Sequence, residues 1–157
     1  EGFRLPTEVE WNWFARGGQV AIDKGTFDYK YSGSNNIDEV AWYYENSGAK
    51  NEEGATQNVG LKEANQLGLY DCSGNVWEWC SHPRGIVLPL VEERISLDSI
   101  KPSGEFAIRG GSFLCHCSYC NRYRVAARNG AFVTSTTSHM GFRCVRFEEE
   151  SYVRSNL

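Results

Sequence analysis

No segment of this chain is written for a long helix or a long strand. From residue 19 to residue 66 the sequence is turn chemistry: Lys24-Gly25, Ser32-Gly33-Ser34-Asn35-Asn36, Asn46-Ser47-Gly48 and Asn51-Glu52-Glu53-Gly54. A single apolar island, Val40-Ala41-Trp42-Tyr43-Tyr44, interrupts it. Residues 81–104 are irregular again, with Pro83, Pro89 and Pro102. Such a chain folds as long loops pinned by aromatic side chains to a small regular frame. Aromatics make up 13% of the 157 residues and include five Trp, which is enough for one domain with a real core.

The frame can be located. Thr7 can cap a helix, and Glu10, three residues on, completes a capping box; Trp11, Phe14 and Ala15 follow, and Gly17-Gly18 stops the helix. Val76-Trp77-Glu78-Trp79 alternates as a short strand after the turn Asp71-Cys72-Ser73-Gly74-Asn75. Ala107-Ile108-Arg109, Tyr123-Arg124-Val125-Ala126 and Gly141–Arg146 are expected as further short strands. The class is α+β, loop-rich, with few helices and small twisted antiparallel sheets. One domain is expected over residues 1–147, with a polar, frayed tail at 148–157.

Charge and hydropathy exclude some functions. A formal net charge of −4 gives no broad nucleic-acid footprint. No run of about 18 apolar residues is present to span a membrane. The chain starts at Glu1 and runs straight into a helix start, as expected of a fragment or processed chain. The sequence leaves the compartment open between the bacterial cytoplasm and, if an N-terminal signal has been removed, the cell surface or exterior.

Chemistry concentrates in Cys115-His116-Cys117-Ser118-Tyr119-Cys120-Asn121-Arg122-Tyr123-Arg124, which holds three of the six cysteines. Thiols this dense fit a soft-metal or redox site. Cys115 and Cys120 suit linear Cu(I) as two thiolates, or a redox-active disulfide. Zinc on the three thiols with His116 or His139 ranks below copper, because paired Cys-x₂-Cys knuckles are missing. Half-buried inert thiols are the plain alternative, which Arg122 and Arg124 beside them disfavour. Asp71, Gly74, Val76 and Glu78 offer two carboxylates and backbone carbonyls to Ca²⁺, although on the residues alone a turn aspartate and a solvated glutamate come first. His82 is expected to be solvated, and His139 reads first as a core-edge histidine.

Arg4–Trp11, Gly68-Leu69-Tyr70-Asp71 with Gly74–Trp79, Arg109-Gly110-Gly111-Ser112 and Gly141-Phe142-Arg143 stand in one order. That order resembles the formylglycine-generating enzyme (sulfatase-modifying factor) superfamily over roughly residues 3–146, and the resemblance implies that residues 1–147 are the C-terminal major part of a single domain of that type, without the family's N-terminal part. The resemblance implies a C-type-lectin-like fold with small sheets. The run from Gly110 to Arg128 is similar to the catalytic branch, in which two cysteines hold Cu(I) and O₂ oxidises a sulfatase cysteine to formylglycine. The resemblance therefore implies Cys115 and Cys120 as copper and catalytic thiols. Trp77 and Ser112 would line the oxygen pocket, and His139 falls where members place an active-site Asn or His. Asp71, Gly74, Val76 and Glu78 would form a structural calcium site, and Arg122 and Arg124 would orient the loop or contact a peptide. Cys117 is an extra thiol beside the pair. Ala15 and Val125 stand where some members carry disulfide cysteines, and Cys144 has lost its partner. Residues 19–60 and 129–138 depart from the catalytic pattern.

The same scaffold serves as the variable protein of diversity-generating retroelements, whose adenine-directed mutagenesis cannot reach Lys, Glu, Gln, Met or Trp. Residues 113–139 contain none of these five. That resemblance implies a ligand-binding face made by Phe113, Leu114, Cys115, His116, Cys117, Tyr119, Asn129, Phe132, Thr136 and His139, an aromatic and small-polar mixture suited to a variable protein ligand.

Overall fold

The computed structural model describes residues 2–51, 54–84 and 104–146. The tail at 148–157, Pro89 and Pro102 lie outside them. Among the described residues, no helix is long and apolar enough to cross a membrane.

The first helix, α1 (Glu8–Ala15), forms where the capping box predicts it. Thr7 Oγ1 accepts from the Glu10 N–H at 3.2 Å, and the Glu10 carboxylate accepts from the Thr7 N–H at 2.8 Å, so two of the orphan donors at the helix start are satisfied. The chain does not leave helical conformation for long at Gly17-Gly18. A second short helix, α2 (Gly18–Asp23), begins there, because Gly17 turns the chain through a left-handed conformation (φ 88°) that re-aims it without ending helix formation. One turn, α3 (Ile37–Val40), precedes the aromatic island.

Among the described residues, eight short strands complete the frame: β1 (Phe3–Arg4), β2 (Ala41–Trp42), β3 (Ser73–Gly74), β4 (Trp77–Pro83), β5 (Glu105–Arg109), β6 (Asn129–Phe132), β7 (Met140–Gly141) and β8 (Val145–Arg146). The main sheet has the order β6-β5-β4-β7. Its β4–β5 and β5–β6 pairs are antiparallel, and β7 joins its edge parallel to β4. β1 pairs with β8, and β2 lies parallel to β3.

Two sequence expectations need correction. Residues 123–126 are turn rather than strand. Tyr123 and Val125 are buried there because a loop presses them on the core, so their alternation reflects burial without a ladder. Gly141–Arg146 is not one strand either, since its two ends join different sheets as β7 and β8.

The core has two adjoining parts. Trp11, Ala15, Cys72, Cys80, Ala107 and Val125 pack beneath α1. Tyr31, Val40, Trp77, Ile108, Cys115 and Tyr123 pack on the side of the cysteine loop. Ala15 and Val125, two positions where the resemblance implied disulfide cysteines in some members, are buried members of the first cluster. Burial pushes the Cys72 and Cys80 thiols up to about 12, which makes them inert neutral core groups.

Candidate functional site: the cysteine loop and its aromatic bed

β5 ends at Arg109, and Gly110-Gly111 turns the chain out of the sheet with both residues left-handed (φ 86° and 71°). A Cβ on Gly111 would stand 2.7 Å from the Tyr123 backbone nitrogen. The loop therefore crosses its own return limb there, and only glycine permits the approach. That crossing delivers Tyr123 beside the start of the loop.

Backbone bonds then fix the loop. The Phe113 N–H donates to the Asn75 carbonyl at 2.8 Å, and the Tyr44 N–H to the Cys115 carbonyl at 3.1 Å. The Ser47 hydroxyl donates to the Phe113 carbonyl at 3.0 Å. The Cys120 and Asn121 N–H groups both donate to the His116 carbonyl at 2.9 Å. This single helical turn brings the Cα atoms of Cys115 and Cys120 to 5.1 Å, and the two residues form a disulfide, within the range such a bridge requires.

The pair sits on an aromatic bed. Cys115 is 3% exposed; Cys120 is half-buried and packs against the cluster that contains Trp77 and Tyr123. The Tyr123 ring lies between Tyr31 and Tyr43, with centroids 5.8 and 5.5 Å away. Burial, reinforced by Tyr31, pushes its phenol up to about 12, so its hydroxyl stays neutral at ordinary pH. The Trp77 N–H donates to the His139 carbonyl at 2.9 Å, and Phe113 meets the His139 ring edge-on at 6.5 Å. Burial lowers the pKa of His139, which keeps its ring neutral. Ser112 is buried and accepts from the Leu114 N–H at 3.3 Å.

Outside this bed lies an exposed rim. Leu114 is 39% and Tyr119 67% exposed, and the Tyr119 hydroxyl donates to the Leu114 carbonyl at 2.8 Å. The His116 ring stacks on Tyr119 and meets Tyr44 edge-on; its Nε2 lies 2.9 Å from Glu45 Oε1 and its Nδ1 2.6 Å from Ser118 Oγ. Arg124 Nε donates to the Asn121 carbonyl at 2.9 Å, so Arg124 orients the loop, while Arg122 is half-buried. Thr136 is exposed in the loop after β6, and Asn129 and Phe132 stand at the two ends of β6. Phe132 comes within contact distance of a Cβ placed on Gly104, at the outer edge of the sheet.

Asp71, Val76 and Glu78 are gathered elsewhere, in a cavity of about 430 Å³ shared with Asn75, Phe142 and Arg143. Glu78 is buried, not solvated. It accepts from Trp11 Nε1 at 2.6 Å and from Arg143 Nε at 2.7 Å. Asp71 Oδ2 accepts from the Gly60 N–H at 2.8 Å; its Oδ1 is buried with no hydrogen-bond partner among the described residues. Gly74, in β3, donates its N–H to the Gly110 carbonyl at 2.8 Å, which ties this cavity to the start of the cysteine loop. His82 is also not solvated. It lies buried on β4, where burial lowers its pKa.

Sequence reasoning missed Tyr43, Tyr123 and Glu45 as parts of the site. Tyr123 lay inside the motif, but its neighbours Tyr31 and Tyr43 are 92 and 80 residues away in the chain, and no local pattern announces them. Among the described residues, no group of three or more His, Cys, Asp or Glu is placed to hold a metal ion. The cysteine pair is thus a two-donor arrangement.

Residues 1–148 match the sulfatase-modifying factor enzyme 1-like domain. The chain is 39% identical over 148 residues to a formylglycine-generating enzyme of Streptomyces coelicolor, covering 91% of this chain and 46% of that protein. Among solved structures, a Treponema denticola variable protein 1 superposes with a TM-score of 0.67 at 36% identity, over 92% of this chain and 47% of that one. The crystal structure of CarF superposes with a TM-score of 0.71 at 30% identity, over 92% of this chain and 47% of that one. The chain spans about half the length of the relatives it matches.

Proposed function

The chain belongs to the sulfatase-modifying factor enzyme 1-like family, and from that premise we propose that its cysteine loop is a copper-dependent thiol-oxidising site acting on a peptide cysteine. One observation carries this reading: Cys115 and Cys120 are brought together on the Trp77–Tyr123 bed, under a rim open to a partner. The donor chemistry suits the metal. Two soft sulfurs select Cu(I) over hard-ligand ions, and a two-coordinate ion needs no third protein ligand. Bound there, Cu(I) would supply the electrons and the open position at which O₂ is reduced.

The chain's own residues prepare that reaction. Cys115 and Cys120 must be reduced before they hold the ion, and both must be thiolates. Trp77 and the neutral Tyr123 share the buried cluster of Cys115 and, with buried Ser112 and the half-buried, neutral His139, would keep bulk water from the sulfurs. Leu114, Tyr119 and the His116–Tyr44 stack offer the peptide an aromatic seat. The overall change balances as peptide CH₂–SH plus O₂ plus two external thiols giving an aldehyde, H₂S, a disulfide and water. The expected result is O₂-dependent, copper-dependent conversion of a sulfatase-type cysteine peptide to its aldehyde, read by mass and hydrazide capture. Cys115→Ser and Cys120→Ser are each expected to abolish it. Turnover unchanged in either variant would remove the proposal.

We also propose that the Asp71–Glu78 cavity holds Ca²⁺. Asp71 Oδ1 is the buried oxygen without a partner, and Glu78 retains lone pairs after its bonds to Trp11 and Arg143; Gly74 and Val76 would add carbonyl oxygens. Ca²⁺ is expected to raise the melting temperature of chelator-treated protein, by about 2.7 kcal/mol of stability at a hundredfold excess over Kd. Asp71→Asn is expected to remove most of that gain. An equal gain in the variant would exclude this cavity as the site.

A second reading rests on a separate observation. The likeness to a variable protein and the composition of residues 113–139 support a ligand-binding face with no chemistry, taking a protein ligand through Leu114, His116, Cys117, Tyr119, Phe132, Thr136 and His139; Phe113 and Cys115, expected on that face from the sequence, are each 3% exposed and can only support it from within.

A further inference from the structure

Cys117 has no part in the copper chemistry proposed above, yet it lies inside the ring that the disulfide closes. The stretch Cys117-Ser118-Tyr119-Cys120 has the Cys-x-x-Cys spacing of thiol–disulfide exchange motifs. The helical turn made by the two bonds to the His116 carbonyl puts residues three apart on one face, so Cys117 and Cys120 are neighbours in space. Their exposure differs in the useful direction. Cys117 is a free, exposed thiol, while Cys115 is 3% exposed. The Cys117 sulfur lies 3.8 Å from His116 Nε2, a possible hydrogen-bond acceptor.

We propose that Cys117 is a relay thiol, which moves the disulfide between a buried Cys115–Cys120 form and an exposed Cys117–Cys120 form. The Cys117 sulfur attacks Cys120 Sγ; the Cys117–Cys120 bond forms, the Cys115–Cys120 bond breaks, and Cys115 leaves with the electron pair. The proton lost by Cys117 ends on Cys115. One disulfide and one thiol are present before and after, so no oxidant or reductant is consumed. The exchange needs neither copper nor a peptide, and it carries an oxidised sulfur from beneath the Tyr123 ring to the surface, where a thiol of another molecule can reach it.

The test uses the oxidised full chain, incubated anaerobically without metal for increasing times and quenched in acid. Free thiols are blocked with N-ethylmaleimide, disulfides are reduced, and the released thiols are marked with iodoacetamide. Trypsin yields one peptide from Gly110 to Arg122, whose fragment spectra locate each mark. The expected result is maleimide on both Cys117 and Cys115, reaching a constant ratio with time, and no maleimide in this peptide in Cys117→Ser. In Cys115→Ser the oxidised chain is expected to close Cys117–Cys120, seen as the loss of both maleimide marks. Maleimide confined to Cys117 in the wild type at every time, or open thiols at both positions in Cys115→Ser, would overturn the relay. Neither result depends on whether the copper proposal holds.

Discussion

Glu8→Gln is expected to destabilise this domain by about 3–5 kcal/mol, the cost of breaking a buried ion pair from one side. The Glu8 side chain is fully buried. Its Oε1 accepts from Arg109 Nη1 and Arg128 Nε, both at 2.7 Å, and its Oε2 from Arg128 Nη2 at 2.7 Å. Burial works to raise the Glu8 carboxyl, but Arg128 and Arg109 outweigh it and hold its pKa below the usual carboxylate range. Arg109 is as deeply buried, stacks over Trp11 at 4.9 Å, and donates to the Val125 carbonyl at 2.6 Å. An amide at position 8 keeps the shape and removes the charge, so the buried Arg109 cation loses its anionic partner. The loss should show as a lower urea midpoint with an unchanged slope. It should also loosen the site, because Arg109 joins α1, the end of β5 and the return limb of the cysteine loop. A shift below about 1 kcal/mol, the range of an exposed pair, would mean that the network is not the clamp described.

Parts of this architecture are legible residue by residue. Thr7 and Glu10 announce α1 because a capping box is a local device, and the Trp77-Glu78-Trp79 alternation announces β4, although Glu78 is buried as well as Trp77. The cysteine pair is legible from spacing, since five residues suffice for one turn. What stays hidden is everything set by chain crossing. Gly111 reads as a loop glycine until Tyr123 is seen against it. The alternation at 123–126 imitates a strand because a loop on the core buries every second residue just as a sheet does. Arg143 belongs to a quoted motif, yet its partner Glu78, 65 residues earlier, is found only in the fold. His82 looked like a polar loop residue because Pro83 follows it, whereas β4 runs on to Pro83 and carries it inside.

The copper proposal makes the sharpest demand on the two cysteines. Once reduced, the chain offers Cys115 and Cys120 from one turn whose Cα atoms stand 5.1 Å apart, and a two-coordinate soft ion needs both sulfurs. Losing either thiolate leaves a single donor in an otherwise apolar bed, so the effect is expected to be near-complete rather than graded. Cys117→Ser is expected to keep the ion, because Cys115 and Cys120 supply both donors and Cys117 is an exposed thiol outside the pair. The direct measurement is Cu(I) titration of the reduced chain against a competing chromophoric chelator, in the absence of O₂. One tightly held Cu(I) per chain, lost in Cys115→Ser and in Cys120→Ser and retained in Cys117→Ser, is the predicted result. Undiminished copper affinity after replacing both Cys115 and Cys120 would contradict it.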